Sequence, residues 1–206
     1  PEAVSWTAPP PPSIPPPVQP VPAPETVQPA VAHSSPYDEA LALYRKGLYG
    51  EAATKLSGVA AKGARESGPA GHGQAAALLA RIFANQGEFA KAREWTEQAI
   101  AVNKLDPELR YLQAIIFQEE GAVEAAVAAL KKTLYLDQGF VLAHFALANL
   151  SQQRGKAKEA ARHLENAAAL LGGYGDDDLL PGSDGLSARR LGEIIAATMA
   201  SAADQG

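Results

Sequence analysis

The chain has 206 residues, a net charge of −5, a pI near 5.4 and no cysteine, and no block of lysine or arginine stands out. Phosphate backbones and anionic membranes reward clustered positive charge, so this balance argues against nucleic-acid or lipid binding. The missing cysteines exclude disulfides and thiolate metal sites and suit a reducing, cytoplasmic setting. No apolar run approaches the roughly 18 residues of a membrane-spanning helix, so no membrane insertion is expected.

Thirteen of the 16 prolines stand between Pro1 and Pro36. Proline fixes φ and has no N–H to donate, so residues 1–35 are predicted as a disordered linker. Over Pro9–Pro29 it would extend like polyproline II, at about 3.1 Å per residue. Pro17 and Pro20 have PxxP spacing for an SH3-like groove, but no basic residue flanks the prolines, and a semi-rigid linker is the simpler reading. Trp6 fits either the last packed residue of a preceding domain or an exposed linker position. The chain opens on Pro1 and its single methionine is Met199, so a longer parent protein is expected.

Beyond the linker, alanine and leucine dominate, a composition that favours helices. Gly87, Gly121 and Gly155 are spaced 34 residues apart. Seven positions before each stand Ala80, Ala114 and Ala148, and five after stand Ala92, Ala126 and Ala160. Phe83, Phe117 and Ser151 match four before, Leu79, Gln113 and Leu147 eight before, and Thr96, Leu130 and Leu164 nine after. Apolar residues recur at helical spacing on both sides, so each unit is predicted as helix–turn–helix with glycine ending the first helix. Alanines mark close helix crossings, and such hairpins must stack to bury their apolar faces. A weaker unit precedes these, with Gly47 as turn, Ala40 before it and Ala52, Leu56 and Val59 after it; Glu39 departs from the pattern. The stretch Gly63–His72, rich in glycine and carrying Pro69, is predicted as a loop.

The period, the turn glycine and the paired alanines resemble the tetratricopeptide repeat (TPR). The resemblance implies an all-α fold: a right-handed solenoid of helix–turn–helix hairpins over residues 36–201. Its units would span about 36–62, 73–104, 107–138 and 141–171. The tryptophan usual in the first helix is replaced by Ala76, Arg110 and His144, and the closing proline by Lys104 and Gln138; Asp106 and Pro107 restore a helix start. After the last unit, Ser187 is a plausible N-cap for a helix over 187–201. Its stripe of Leu191, Ile194, Ile195 and Met199 suits capping of the array better than docking of a partner.

The stretch Ser183–Leu191 is also similar to the segment closing the repeat arrays of CheR-type chemoreceptor methyltransferases, except that Arg189 stands where glycine is expected. That similarity implies a docking or regulatory module of bacterial chemosensory signalling. Its protein or peptide partner would be a chemoreceptor or the methyltransferase domain of the same protein. The alternative is a scaffold for an envelope, pilus or secretion complex.

Within the chain no catalytic, cofactor or metal site is expected. Gly172–Gly175 follows a helix rather than a strand and precedes an acidic turn, which is the wrong setting for a phosphate loop. Asp176–Asp178 are predicted as a solvated loop, and His33, His72, His144 and His163 lack ligand spacing. No nucleophile motif is present, so the chain is expected to be no enzyme.

The TPR resemblance places the first helix of each unit on a concave face. The groove would then hold Ala77, Arg81, Ala84 and Asn85; Glu108, Tyr111, Ile115, Gln118 and Glu119; and Leu142, Phe145, Asn149, Gln152 and Gln153. Tyr37, Leu41, Tyr44 and Arg45 are the equivalents in the first unit. Tyr111, Ile115 and Phe145 would form an apolar floor edged by Arg81, Asn149 and Gln152, unless these aromatics pack between helices instead. The positions from which family members clamp a chaperone's terminal carboxylate carry Tyr37, Leu41, Ala77 and Tyr111, so that mode of binding is not expected.

Overall fold

A computed structural model describes the backbone of residues 35–203, and within it the side chains except those of 61–67, 69, 202 and 203. The proline-rich segment lies outside the described residues. Eight α-helices run through the rest: α1 (Pro36–Arg45), α2 (Tyr49–Asn85), α3 (Phe89–Val102), α4 (Pro107–Glu119), α5 (Val123–Leu136), α6 (Val141–Gln153), α7 (Ala157–Leu171) and α8 (Ala188–Ala203).

The helix boundaries follow from local chemistry. Ser35 and Asp38 form a capping box at α1, with Pro36 at the first helical position. At α4 the Asp106 carboxylate accepts from the amides of Glu108 and Leu109, and Pro107 again leads the helix. Four helix ends share one geometry. Gly47, Gly87, Gly121 and Gly155 have φ of 75, 76, 75 and 71°. Each glycine amide donates to the carbonyl three residues back, at 2.9–3.0 Å. The next residue's amide reaches five back, to Leu43, Phe83, Phe117 and Ser151, at 2.8–3.0 Å. These Schellman closures satisfy carbonyls that the helix end leaves orphaned. A Cβ at any of the four would meet nothing within 4 Å, so the requirement is for backbone conformation and not for space.

Each glycine therefore folds one helix back along the next, and the alanines seven before and five after it let the two approach. Ala40, Ala80, Ala114 and Ala148, with Ala52, Ala92, Ala126 and Ala160, are all buried. Leu79, Leu130, Leu147 and Leu164 fill the space between hairpins. Thr96 and Thr133 sit in the same layer, each hydroxyl donating to a carbonyl of its own helix, Ala92 and Ala129, at 2.7 and 3.1 Å. A buried hydroxyl without such a partner would cost about 1–3 kcal/mol.

The Gly63–His72 stretch departs from the sequence-based expectation of a loop. Its backbone is helical, and α2 runs for 37 residues, serving as second helix of the first hairpin and first helix of the second. Gly68 alone within it takes a positive φ, 70°, which interrupts the right-handed path at that point. The turns of α2 on either side are held by packing against α1 and α3. Gly73 has a different use: a Cβ there would lie 2.9 Å from Val102, so its absence permits close approach of α3.

Helix α8 starts where the Ser187 hydroxyl accepts from the Arg190 amide at 3.4 Å. It buries Leu191 and Ile195 in the cluster containing Leu147 and Leu164, while Met199 is exposed.

Glycine substitutions separate conformation from packing. Gly121→Ala is expected to lower stability by about 1–2 kcal/mol, the cost of a side chain in the left-handed region. Gly192→Ala, within α8 and in ordinary contact with Leu171, is expected to raise it by about 0.4–1 kcal/mol. Urea denaturation of both variants reads the two signs.

Candidate functional site

The first helices of all four hairpins face a single segment, the connection between α7 and α8. Helix α7 ends at Leu171, and residues 172–187 then cross back over the array. At the base of this segment the Asp178 carboxylate accepts from the Gly175 amide at 2.7 Å, and Arg189 pairs with Asp177 at 2.7 Å. Leu179 and Ser187 form an antiparallel bridge, and the Leu180 amide donates to the Leu186 carbonyl at 3.0 Å. Between them the chain makes a closed loop. Ser183 ties it internally, its hydroxyl donating to the Leu180 carbonyl at 2.7 Å and accepting from the Leu186 amide at 3.1 Å.

Two anchors hold the loop against the array. Leu180 is 2% exposed and belongs to the same core cluster as Leu142 and Leu191. Gly182, at φ 76°, lies against the rings of Phe140 and Tyr111, where a Cβ would come within 2.8 Å of Phe140. Those rings pack on each other with centroids 5.2 Å apart. Both backbone conformation and space therefore demand glycine there.

Beyond the anchors the loop tip presents Asp184. Its carboxylate accepts from the Tyr44 hydroxyl at 2.7 Å and lies 3.7 Å from the Arg81 guanidinium. Asn85 donates to the Tyr44 oxygen at 3.0 Å, and Arg81 is also paired with Glu108 at 2.8 Å. Burial and then the hydrogen bond to Asp184 push the Tyr44 phenol far above its ordinary pKa. Burial and Asp184 raise Tyr111 to about 12. Both phenols stay protonated at neutral pH, so Tyr44 remains a donor. Two clefts flank the tip. One, of about 300 Å³, is bounded by Arg81, Asn85, Tyr111, Ile115 and Leu142. The other, of about 750 Å³, lies beside Leu41, Tyr44, Arg45, Lys46 and Arg81.

Arg81, Asn85, Tyr111 and Ile115 thus gather in one place, with Tyr44, Ala84, Glu108 and Leu142. Ala77 lies elsewhere, in a separate cleft between α2 and Leu109. Phe145 is half-buried against the core, Asn149 and Gln118 are partly exposed, and Gln152 is exposed; none of these lines the two clefts beside the loop. The sequence reading missed where this loop docks. Ser183 and Asp184 stood in the segment likened to the end of CheR-type arrays, but nothing pointed to their place against the first helices, because a contact between Tyr44 and a residue 140 positions later leaves no trace in periodicity.

No protein-family model matches the sequence, and no curated protein matches it. Solved structures do. MamA from Desulfovibrio magneticus RS-1, residue 41 to its end, superposes with a TM-score of 0.60 at 20% identity, covering 67% of this chain and 75% of that one. YrrB, described as a TPR protein with an unusual peptide-binding site, gives 0.56 at 17% identity and covers 66% of each chain. The fold is a tetratricopeptide-repeat array. Among the described residues no helix is long and apolar enough to cross a membrane, and no group of three His, Asp or Glu could hold a metal ion.

On α6 and α7 the array brings His144 and His163 together, Nδ1 to Nδ1 at 3.1 Å. The His144 Nε2 lies 3.2 Å from the Gln138 carbonyl, so it carries the proton and donates there. His144 Nδ1 is then the acceptor and His163 Nδ1 the donor. Burial lowers the pKa of both, and at His163 the neighbouring His144 lowers it further. Lys131 and Arg162 act in the same direction on His163, and Glu159 opposes them. The folded state thus binds fewer protons than the unfolded chain near the ordinary value of 6.5. Stability is full above that pH and falls as pH drops through the lower folded values. Between pH 7.5 and 5 the melting temperature is expected to decline, and a His144→Gln/His163→Gln variant should lose much of that slope. An unchanged slope would show that the pair is not responsible.

Proposed function

We propose that the array is a docking module whose concave face receives an extended segment of a partner protein, and that it catalyses nothing itself. One observation carries this reading: the first helices of all four hairpins already hold a piece of polypeptide, the turn of residues 180–186 of the same chain. A face that holds main chain between tyrosine rings, an arginine and aliphatic side chains has the features of a peptide groove, an apolar floor with polar edges. The peptide-binding site of YrrB, on the same fold, supports it.

The partner is proposed from the closing segment. Ser183–Leu191 forms the loop tip and the first turn of α8, and it is the stretch that resembles the end of CheR-type arrays. On that resemblance the module docks a chemoreceptor, or the methyltransferase domain of its own protein, and sets when methylation occurs. A scaffold in an envelope, pilus or secretion complex is the second reading.

Titration calorimetry with a purified receptor cytoplasmic region and a methyltransferase domain tests both levels. Ile115→Glu, with its melting temperature checked, is expected to weaken binding at least tenfold, or about 1.4 kcal/mol. Tyr135→Glu, at a residue 86% exposed on α5, should leave it unchanged. Loss at Tyr135 alone would move the docking surface, and binding of neither partner would remove the chemosensory reading.

A further inference from the structure

The loop tip occupies its place as a ligand would. Asp184 meets a hydroxyl donor, Tyr44, that is itself oriented by Asn85, and a guanidinium, Arg81, that keeps a second partner in Glu108. The cleft beside it is lined by Arg45, Lys46 and Arg81, and Asp184 is the only acid among the described residues lining it. In a chain of net charge −5, this is a local concentration of positive charge, answered within the cleft by Asp184 and at Arg81 also by Glu108. The tip is also built to be separable. Leu180 and Gly182 are packed against the core, whereas the Asp184 side chain is 53% exposed. Gly182 and Gly185, both at positive φ, bracket Ser183 and Asp184.

We propose that Tyr44, Arg81 and Asn85 form a carboxylate-receiving site, closed in the free protein by Asp184, where an acidic side chain of a partner peptide docks along the cleft beside Arg45 and Lys46. The inference rests on the groove reading above and names the chemistry of its occupant. The site differs from a terminal-carboxylate clamp: an Asp side chain within a turn fills it, and the clamp positions Tyr37, Leu41, Ala77 and Tyr111 do not make the contact. A tethered competitor acts at an effective concentration on the order of millimolar, so the tip suppresses weak acidic segments and yields to a partner that adds apolar contacts on the Tyr111–Ile115 side.

The probe is a fluorescein-labelled synthetic peptide with the sequence of residues 179–187, alongside the same peptide with Asn in place of Asp, read by fluorescence anisotropy. Protein carrying Ser183→Gly and Asp184→Gly loses both the internal tie and the competing carboxylate while α8 keeps Leu191 and Ile195; a cooperative melt checks its fold. It is expected to bind the Asp peptide at least tenfold more tightly than the unsubstituted protein does, and to prefer it at least fivefold over the Asn peptide. Adding Arg81→Gln should abolish that preference. Should the doubly substituted protein melt poorly, Asp184→Asn, which preserves the loop's shape, should still tighten binding of the Asp peptide. Equal affinities for Asp and Asn peptides, or affinity unaffected by Arg81→Gln, would overturn the site. If the acid preference fails while Ile115→Glu still weakens partner docking, the groove stands without the carboxylate site. If both fail, the groove reading falls with it.

Discussion

The structure depends on one constraint: a helical hairpin of this composition cannot hide its own apolar face. Its two helices meet through alanines, which bring the backbones close and leave the larger residues to project outward from the pair. Leu79, Leu130, Leu147 and Leu164 are all buried in the stacked array, the last three in one cluster with Leu191 and Ile195 of α8. The turn glycines make this repeatable, since four identical closures give four similar re-entry angles and each hairpin presents its face to the next. Conformation at four residues is in this way converted into a surface that spans the whole array.

Stacking leaves the last hairpin with an uncovered face, and α8 answers that need through Leu191 and Ile195. The path that delivers α8 is longer than capping requires. Residues 172–187 make no helix, and unstructured connections of this length are uncommon in folded domains and usually functional. Instead of turning directly from α7 to α8, the chain reaches across three hairpins to Tyr44 on α1. Its anchoring is graded along the way. Leu180 and Gly182 are fixed by burial and by contact with Phe140, while Asp184 is held by a hydrogen bond and a loose ion pair at the surface. The base of the loop belongs to the core, and its tip lies between the clefts beside Tyr44 and Arg81.

How much of this was legible in the sequence follows from what leaves a local imprint. The turns at Gly87, Gly121 and Gly155 were plain because φ excludes other residues, and the alanines around them because contact excludes larger ones. Asp106 and Pro107 announced α4 through capping chemistry. Gly63–His72 misled because glycine and proline count as breakers in isolation, whereas α2 is sustained from both ends by tertiary packing, and Gly73 is there for the approach of Val102. The candidate site was half legible. Register alone brought Arg81, Asn85, Tyr111 and Ile115 together, since it fixes which face of each first helix points inward. The contact of Asp184 with Tyr44 was invisible, because the two lie 140 residues apart and nothing periodic links them.

The energetics of the tip make cis occupancy compatible with binding in trans. A surface ion pair contributes about 0–1 kcal/mol, and the exposed side of Asp184 places its contacts with Arg81 in that range. The charge-assisted bond from Tyr44 adds more, yet it too opens to solvent on one side. A partner at micromolar affinity draws on about 8 kcal/mol of binding free energy, most of it from burial on the floor rather than from one carboxylate. The tip therefore has only to be outbid at its end, where it is weakest, and the core beneath Leu180 need not open. On the proposed reading, a groove closed in this manner would discriminate by charge at the tip and by shape at the floor, and a segment offering only one of the two would leave Asp184 in place.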